Sequence, residues 1–97
     1  MRFEWDEAKN RANRLKHGID FEFARLAFED PFAIISQARD TDAEQRYQLI
    51  AAVSLRVIVV AHVLRTISLD DEPVIRIISA RKATPLERKS YEENATY

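Results

Sequence analysis

The side chains in this sequence best suited to chemistry are His62 and a set of cations: Arg46, Arg65, Arg76, Arg81, Lys82 and Arg88. An arginine presents a planar fork that can hold two phosphate oxygens at once. Histidine gains and loses a proton near neutral pH. Residues 76 to 89 hold Arg76, Arg81, Lys82, Arg88 and Lys89 against Glu87 alone, a stretch able to follow a phosphate backbone. A second run, Lys9, Arg11, Arg14 and Lys16, falls on an expected helix, where such a run reads first as a solvated face. Taken singly, each arginine could equally be solvated or lay its stem along apolar surface. His62 could likewise be a hydrogen-bonded histidine on an aliphatic face. His17 stands beside Gly18 at an expected helix end, where a cation complements the helix dipole.

Composition removes several other chemistries. The chain has no cysteine, which excludes a disulfide framework, a thiolate nucleophile and a zinc ribbon. Two histidines without sulfur ligands give no reason to expect a metal. Gly18 is the only glycine, so there is no glycine-rich loop of the dinucleotide or P-loop kind, and no cofactor is expected. No apolar run reaches the roughly 18–20 residues of a membrane helix, and Met1–Asp6 does not read as a signal peptide. These features predict a small soluble protein of the cytoplasm. At 97 residues and 46% hydrophobic, the chain has enough apolar material for one core, so residues 1–97 are expected to form one domain. The net charge is only -1, but Asp40, Asp42, Glu44, Asp70, Asp71 and Glu72 cluster in expected turns, which leaves room for a basic face elsewhere.

The elements that must position these residues follow from periodicity and caps. Arg2–Trp5 reads as a strand. Asp6 caps a helix reaching about His17, with Ala8, Ala12 and Leu15 as its apolar stripe and Gly18 ending it. Asp20 caps a second helix with Phe21, Ala24, Ala27 and Phe28 on one face, stopped by Pro31. Residues 32–36, 46–52, 56–67 and 74–80 read as strands. Thr84-Pro85-Leu86-Glu87 is a capping box with proline at the first helical position. Short connections favour an antiparallel meander of four strands. The expected class is α+β: strand, two helices, meander, C-terminal helix, with helices on one face of the sheet. Alternation assigns Tyr47, Leu49, Ala51, Val57, Val59, Ala61 and Val63 to the helix side. Arg46, Gln48, Ile58, Val60, His62, Arg76 and Ile78 then share the opposite face. Apolar surface of that kind is seldom left open, so Ile58, Val60 and Ile78 are expected to anchor a partner.

Phe3-Glu4-Trp5-Asp6, Lys16-His17-Gly18, Phe28-Glu29-Asp30-Pro31, Arg46-Tyr47 and the block from Ile75 to Thr84 resemble the BrnT toxin family, and the likeness continues through Glu87-Arg88 and Tyr91-Glu92. The resemblance implies a RelE-like ribonuclease of a type II toxin–antitoxin system. It further implies RNA cleavage without a metal and neutralisation by a BrnA-like antitoxin. DNA would be reached only through that antitoxin, and assembly could give a homodimer or a heterotetramer. On this footing Arg65 and Arg81 are expected to stabilise charge on phosphorus, with His62 as acid or base. Arg46, Arg76, Lys82 and Arg88 are expected to position RNA. Two departures stand out. The turn after the third strand, usually glycine-bearing in the family, reads Ile50-Ala51-Ala52-Val53-Ser54-Leu55, and Leu64 stands where a glutamate is usual. The second departure supports an alternative, a catalytically weakened antitoxin-binding co-repressor module.

Overall fold

The computed structural model describes residues 1–38, 45–65 and 72–95. The expected acids Asp40, Asp42, Glu44, Asp70 and Asp71, and the Thr66–Ile67 end of the fourth strand, lie outside the described residues.

Side-chain caps set the helix starts. The Asp6 carboxylate accepts from the Ala8 and Lys9 amides, at 2.8 and 3.3 Å, and α1 runs Glu7–His17. It ends at Gly18, whose φ of 71° is left-handed backbone that glycine adopts without a Cβ clash. Asp20 accepts from the Phe23 amide and starts α2, Phe21–Ala24. The chain then tightens into a 3₁₀ turn, Arg25–Glu29, so the second helix is one α-helical turn plus this extension. The capping box forms as its spacing predicts: Glu87 accepts from the Thr84 amide at 2.9 Å, and Thr84 Oγ1 accepts from the Glu87 amide at 3.1 Å. It opens α3, Pro85–Ala95.

The strands are β1 (Arg2–Glu4), β2 (Ile34–Gln37), β3 (Arg46–Val53), β4 (Arg56–Arg65) and β5 (Val74–Lys82). They form one sheet in the order β1-β5-β4-β3-β2. The last four make the expected antiparallel meander, and β1 adds parallel to β5, so the sheet is mixed. The class is α+β.

The assignment of β4 to faces is corrected by the register. A two-residue turn, Ser54-Leu55, joins β3 to β4 and pairs Val53 with Arg56. Odd-numbered residues of β3 therefore stand opposite even-numbered residues of β4: Leu49 faces Val60, Ala51 faces Ile58 and Tyr47 faces His62. Ile58 and Val60 have no exposed surface and pack with Leu49, Ala51, Ile75, Ile77, Ala80, Phe21, Ala24 and Ala27 in the core. Val57, Val59, Ala61 and Val63 take the other side. The outward anchor strip of Ile58, Val60 and Ile78 does not form, because the turn fixes the parity.

A second correction concerns α1. Leu15 is 88% exposed, whereas Asn10 and Asn13 are buried. The helix docks through hydrogen bonds. Asn10 Oδ1 accepts from the Phe21 amide, and Asn13 Nδ2 donates to the Ile19 and Ala80 carbonyls. A third polar anchor is Asp30, whose carboxylate accepts from the Phe32 and Ala52 amides and from the Tyr91 hydroxyl, tying α3 to β3.

Candidate functional site

One irregularity in β5 decides what its cations can reach. Ala61 pairs with Ser79, but His62 pairs with Ile77, so Ile78 is an extra residue, a β-bulge. Arg76 and Arg81 are five apart, and a regular strand would send them to opposite faces. Across the bulge they pair with Val63 and Val59, which lie on one side of β4. Both guanidinium groups therefore leave from the face away from the core.

At one end of that face a row crosses four strands: Glu4 on β1, Arg76 on β5, Val63 on β4 and Arg46 on β3. Arg65, two residues beyond Val63, joins the same side. Glu4 Oε1 accepts from Arg65 Nη1 at 2.5 Å and lies 3.5 Å from Arg76 Nη1. One carboxylate thus holds two guanidinium groups, with a third in the row. Arg65 is about half exposed, and Arg76 and Arg46 are half-buried. Glu4 was not singled out from the sequence. The signal was present in the alternation of β1, which turns Phe3 toward Phe28 and hence Glu4 outward.

Arg81 is differently committed. Its Nη1 and Nη2 donate to the two carboxylate oxygens of Glu87 at 2.8 and 2.9 Å, so the fork that would grip phosphate already grips the first turn of α3. The Arg81 bond drives the Glu87 carboxyl down to about 2, with the Thr84 amide assisting against partial burial. Lys82 and Arg88 line a hollow of about 400 Å³ with Arg56 and Glu92, near the β3–β4 turn. That is the end of β4 opposite Arg65, roughly 30 Å away at the rise of an extended strand. The six sequence-predicted cations are thus split. Arg46, Arg65 and Arg76 come together, whereas Arg81, Lys82 and Arg88 belong to the α3 end.

His62 lies on the other side of the sheet. The residue is 3% exposed, its ring set edge-on to Phe28 at 4.9 Å and stacked on Tyr47 at 5.8 Å, with Nδ1 3.3 Å from the Val60 carbonyl. Burial lowers its pKa below the ordinary 6.5, outweighing the Val60 contact. The sheet separates this imidazole from the arginine row. Instead it floors an apolar groove of about 370 Å³ lined by Met1, Phe28, Ile35, Tyr47, Leu64 and Ile75.

The architecture is that of a small α+β domain with a five-stranded mixed sheet that presents clustered arginines on its outward side. The family model for the ribonuclease toxin BrnT of type II toxin–antitoxin systems matches residues 5–87. The chain belongs to the BrnT family, and a type II system implies an antitoxin partner. No curated relative matches the chain. Among the described residues no helix is long and apolar enough to cross a membrane.

Proposed function

We propose that this protein is a metal-independent endoribonuclease acting in the cytoplasm, with the RelE-like cleavage centre on the outward face at Glu4, Arg46, Arg65 and Arg76. The observation carrying this reading is the Glu4 carboxylate set between Arg65 and Arg76. RNA cleavage removes a proton from the 2′-hydroxyl, whose oxygen attacks phosphorus while the 5′-oxygen departs and takes up a proton. Negative charge grows on the nonbridging oxygens in between. Arg76 and Arg46 meet that charge from the sheet. Glu4 orients Arg65 and is the carboxylate in place to receive the 2′-hydroxyl proton. Leu64, where the family usually has glutamate, lies in the groove beneath His62 on the other side of the sheet, so the carboxylate of this centre is Glu4 from β1.

The test is cleavage of single-stranded RNA by the purified chain in the presence of a chelator. Arg76→Ala and Glu4→Gln are each expected to slow cleavage by about 10²-fold, with the melting temperature kept. Wild-type rates in both variants would overturn the site. Absence of cleavage by the wild-type chain, with intact antitoxin binding, would favour the co-repressor alternative.

The cognate antitoxin, in this proposal, covers the apolar groove beneath His62. Leu64 and Ile35 are more than half exposed there. Ile35 belongs to β2, the terminal strand of the sheet, so an antitoxin segment could pair with that edge while filling the groove. Leu64→Asp is expected to weaken antitoxin binding more than about tenfold, or 1.4 kcal/mol, without unfolding the toxin. Unchanged affinity would place the antitoxin elsewhere.

A further inference from the structure

The outward face does not end at Arg76. Beyond the tip of β1, α1 runs beside the exposed flank of β5, and the two enclose a hollow of about 220 Å³. One wall is a helix face: Lys9, Ala12, Asn13, Lys16 and His17 recur at three- and four-residue spacing. The other wall is the bulge itself, Ile78 and Ser79. Asn13 is occupied by the backbone of Ile19 and Ala80, which makes it a fixed floor. Lys9 and Lys16 are exposed at the rim on one face of the helix, seven residues apart, and Ser79 lines the opposite wall. Asp6 lies between this hollow and the arginine row. Its carboxyl is held low first by the Lys9 and Ala8 amides, and further by the charges of both Lys9 and Arg76. Lys9 and Arg76 are thus both close enough to act on this one carboxylate, which links the basic face of α1 to the arginine row.

We infer that the hollow between α1 and the β5 bulge is a second phosphate site, which holds the RNA backbone away from the cleavage centre through Lys9, Lys16, His17 and Ser79. The inference rests on the ribonuclease reading and extends it. The cleavage centre does the chemistry on one phosphodiester, and the hollow fixes a neighbouring one so that the strand crosses the sheet in one direction. Lysine suits such a site, since an ammonium on a flexible stem binds a phosphate as a point charge without demanding its orientation.

The probe is a short single-stranded RNA, 2′-O-methylated throughout so that it cannot be cleaved, with affinity measured by fluorescence anisotropy across a salt series. Lys9→Gln/Lys16→Gln is expected to bind about tenfold more weakly and to lower the salt slope by roughly 1.4, the loss of two single-strand phosphate contacts. Arg11→Gln/Arg14→Gln removes the same charge from the solvent side of α1 and is expected to change affinity less than about twofold, as screened charges do. A dinucleotide substrate, too short to reach both sites, is expected to be cleaved by Lys9→Gln/Lys16→Gln at the wild-type rate. Wild-type affinity in Lys9→Gln/Lys16→Gln, an equal loss in the arginine control, or slowed dinucleotide cleavage would each overturn the second site. If Arg76→Ala loses activity while the lysine variant binds normally, only this inference falls. If the wild-type chain neither binds nor cleaves RNA, both readings fall.

Discussion

Asn13 does for β5 what a neighbouring strand would do. Its Nδ2 donates to the Ala80 carbonyl at 2.8 Å and its Oδ1 accepts from the Ala80 amide at 3.1 Å. The pairing lies four residues past the point where β1 stops, since Glu4, the last residue of β1, stands opposite Arg76. A side-chain amide has the same donor and acceptor as a peptide group, so one residue from α1 can finish a strand edge.

Asn13→Ala leaves three buried backbone groups without their partner, and is expected to cost about 3 kcal/mol or more at 1–3 per unsatisfied group. Urea unfolding checks this. Leu15→Ala on the same helix, at an exposed position, is expected to fall within about 0.5 kcal/mol of the wild type. Equal effects at the two sites would mean that α1 docks through general contact.

The Arg81–Glu87 pair makes stability depend on acid. The folded-state pKa of Glu87 is about 2, below its ordinary 4.5. A depressed carboxyl contributes its full stability above the unfolded value and loses it as pH falls toward the folded one. Melting temperature is therefore expected to drop between about pH 4.5 and 2, and Glu87→Gln is expected to flatten that part of the profile while lowering stability at pH 7. An unchanged profile would show that the pair contributes nothing.

His62 is expected to titrate below 6.5 by NMR, because the neutral ring is favoured among Phe28 and Tyr47. The sign follows: stability is full above the ordinary value and declines as pH falls below it, where the unfolded chain takes a proton the folded chain resists. His62→Gln is expected to cleave RNA with far less than the loss of about 10²-fold that removal of a general acid or base brings. A loss of that size in a folded variant would return His62 to the reaction.

The β3–β4 turn holds Ser54 at φ 49° and Leu55 at φ 68°, both left-handed. L-residues with a Cβ pay about 1–2 kcal/mol there. Replacing Ser54-Leu55 by Asn-Gly is expected to stabilise the protein by about 1 kcal/mol or more. A lower denaturation midpoint in the variant would show that Leu55, although exposed, contributes elsewhere.

Caps and strand runs were legible in the sequence because they depend on neighbours a few residues apart. Asp6, Gly18, Asp20 and the Thr84–Glu87 box all mark ends found in the structure, and the meander follows from short connections. The faces of β4 were not legible. They depend on one parity, set by a two-residue turn whose Ser-Leu sequence carries none of the usual Asn-Gly signal. The same reversal moved His62 away from the arginines and Ile58 and Val60 into the core. Arg76 was legible as a basic residue of the outward face, but its partner Glu4 was not, because a parallel pairing between the first and last strands joins residues far apart in sequence. Asn10 and Asn13 broke an apolar pattern, and a pattern count has no place for polar residues that dock a helix.

The β5 bulge is one residue more than the pairing with β4 requires. Four residues stand between Arg76 and Arg81, and because one of them is the bulged Ile78 both guanidinium groups leave from the outward face while Ile77 and Ala80 fill the core. Removing Ile78 would leave Arg76 and Arg81 four apart on a regular strand, still opposite Val63 and Val59 and still on one face. The extra residue is therefore not needed to keep the arginines together; it adds a local bend and twist to β5. That bend falls where Ile78 and Ser79 meet α1, so the irregularity shapes the wall of the hollow there rather than the spacing of the cations.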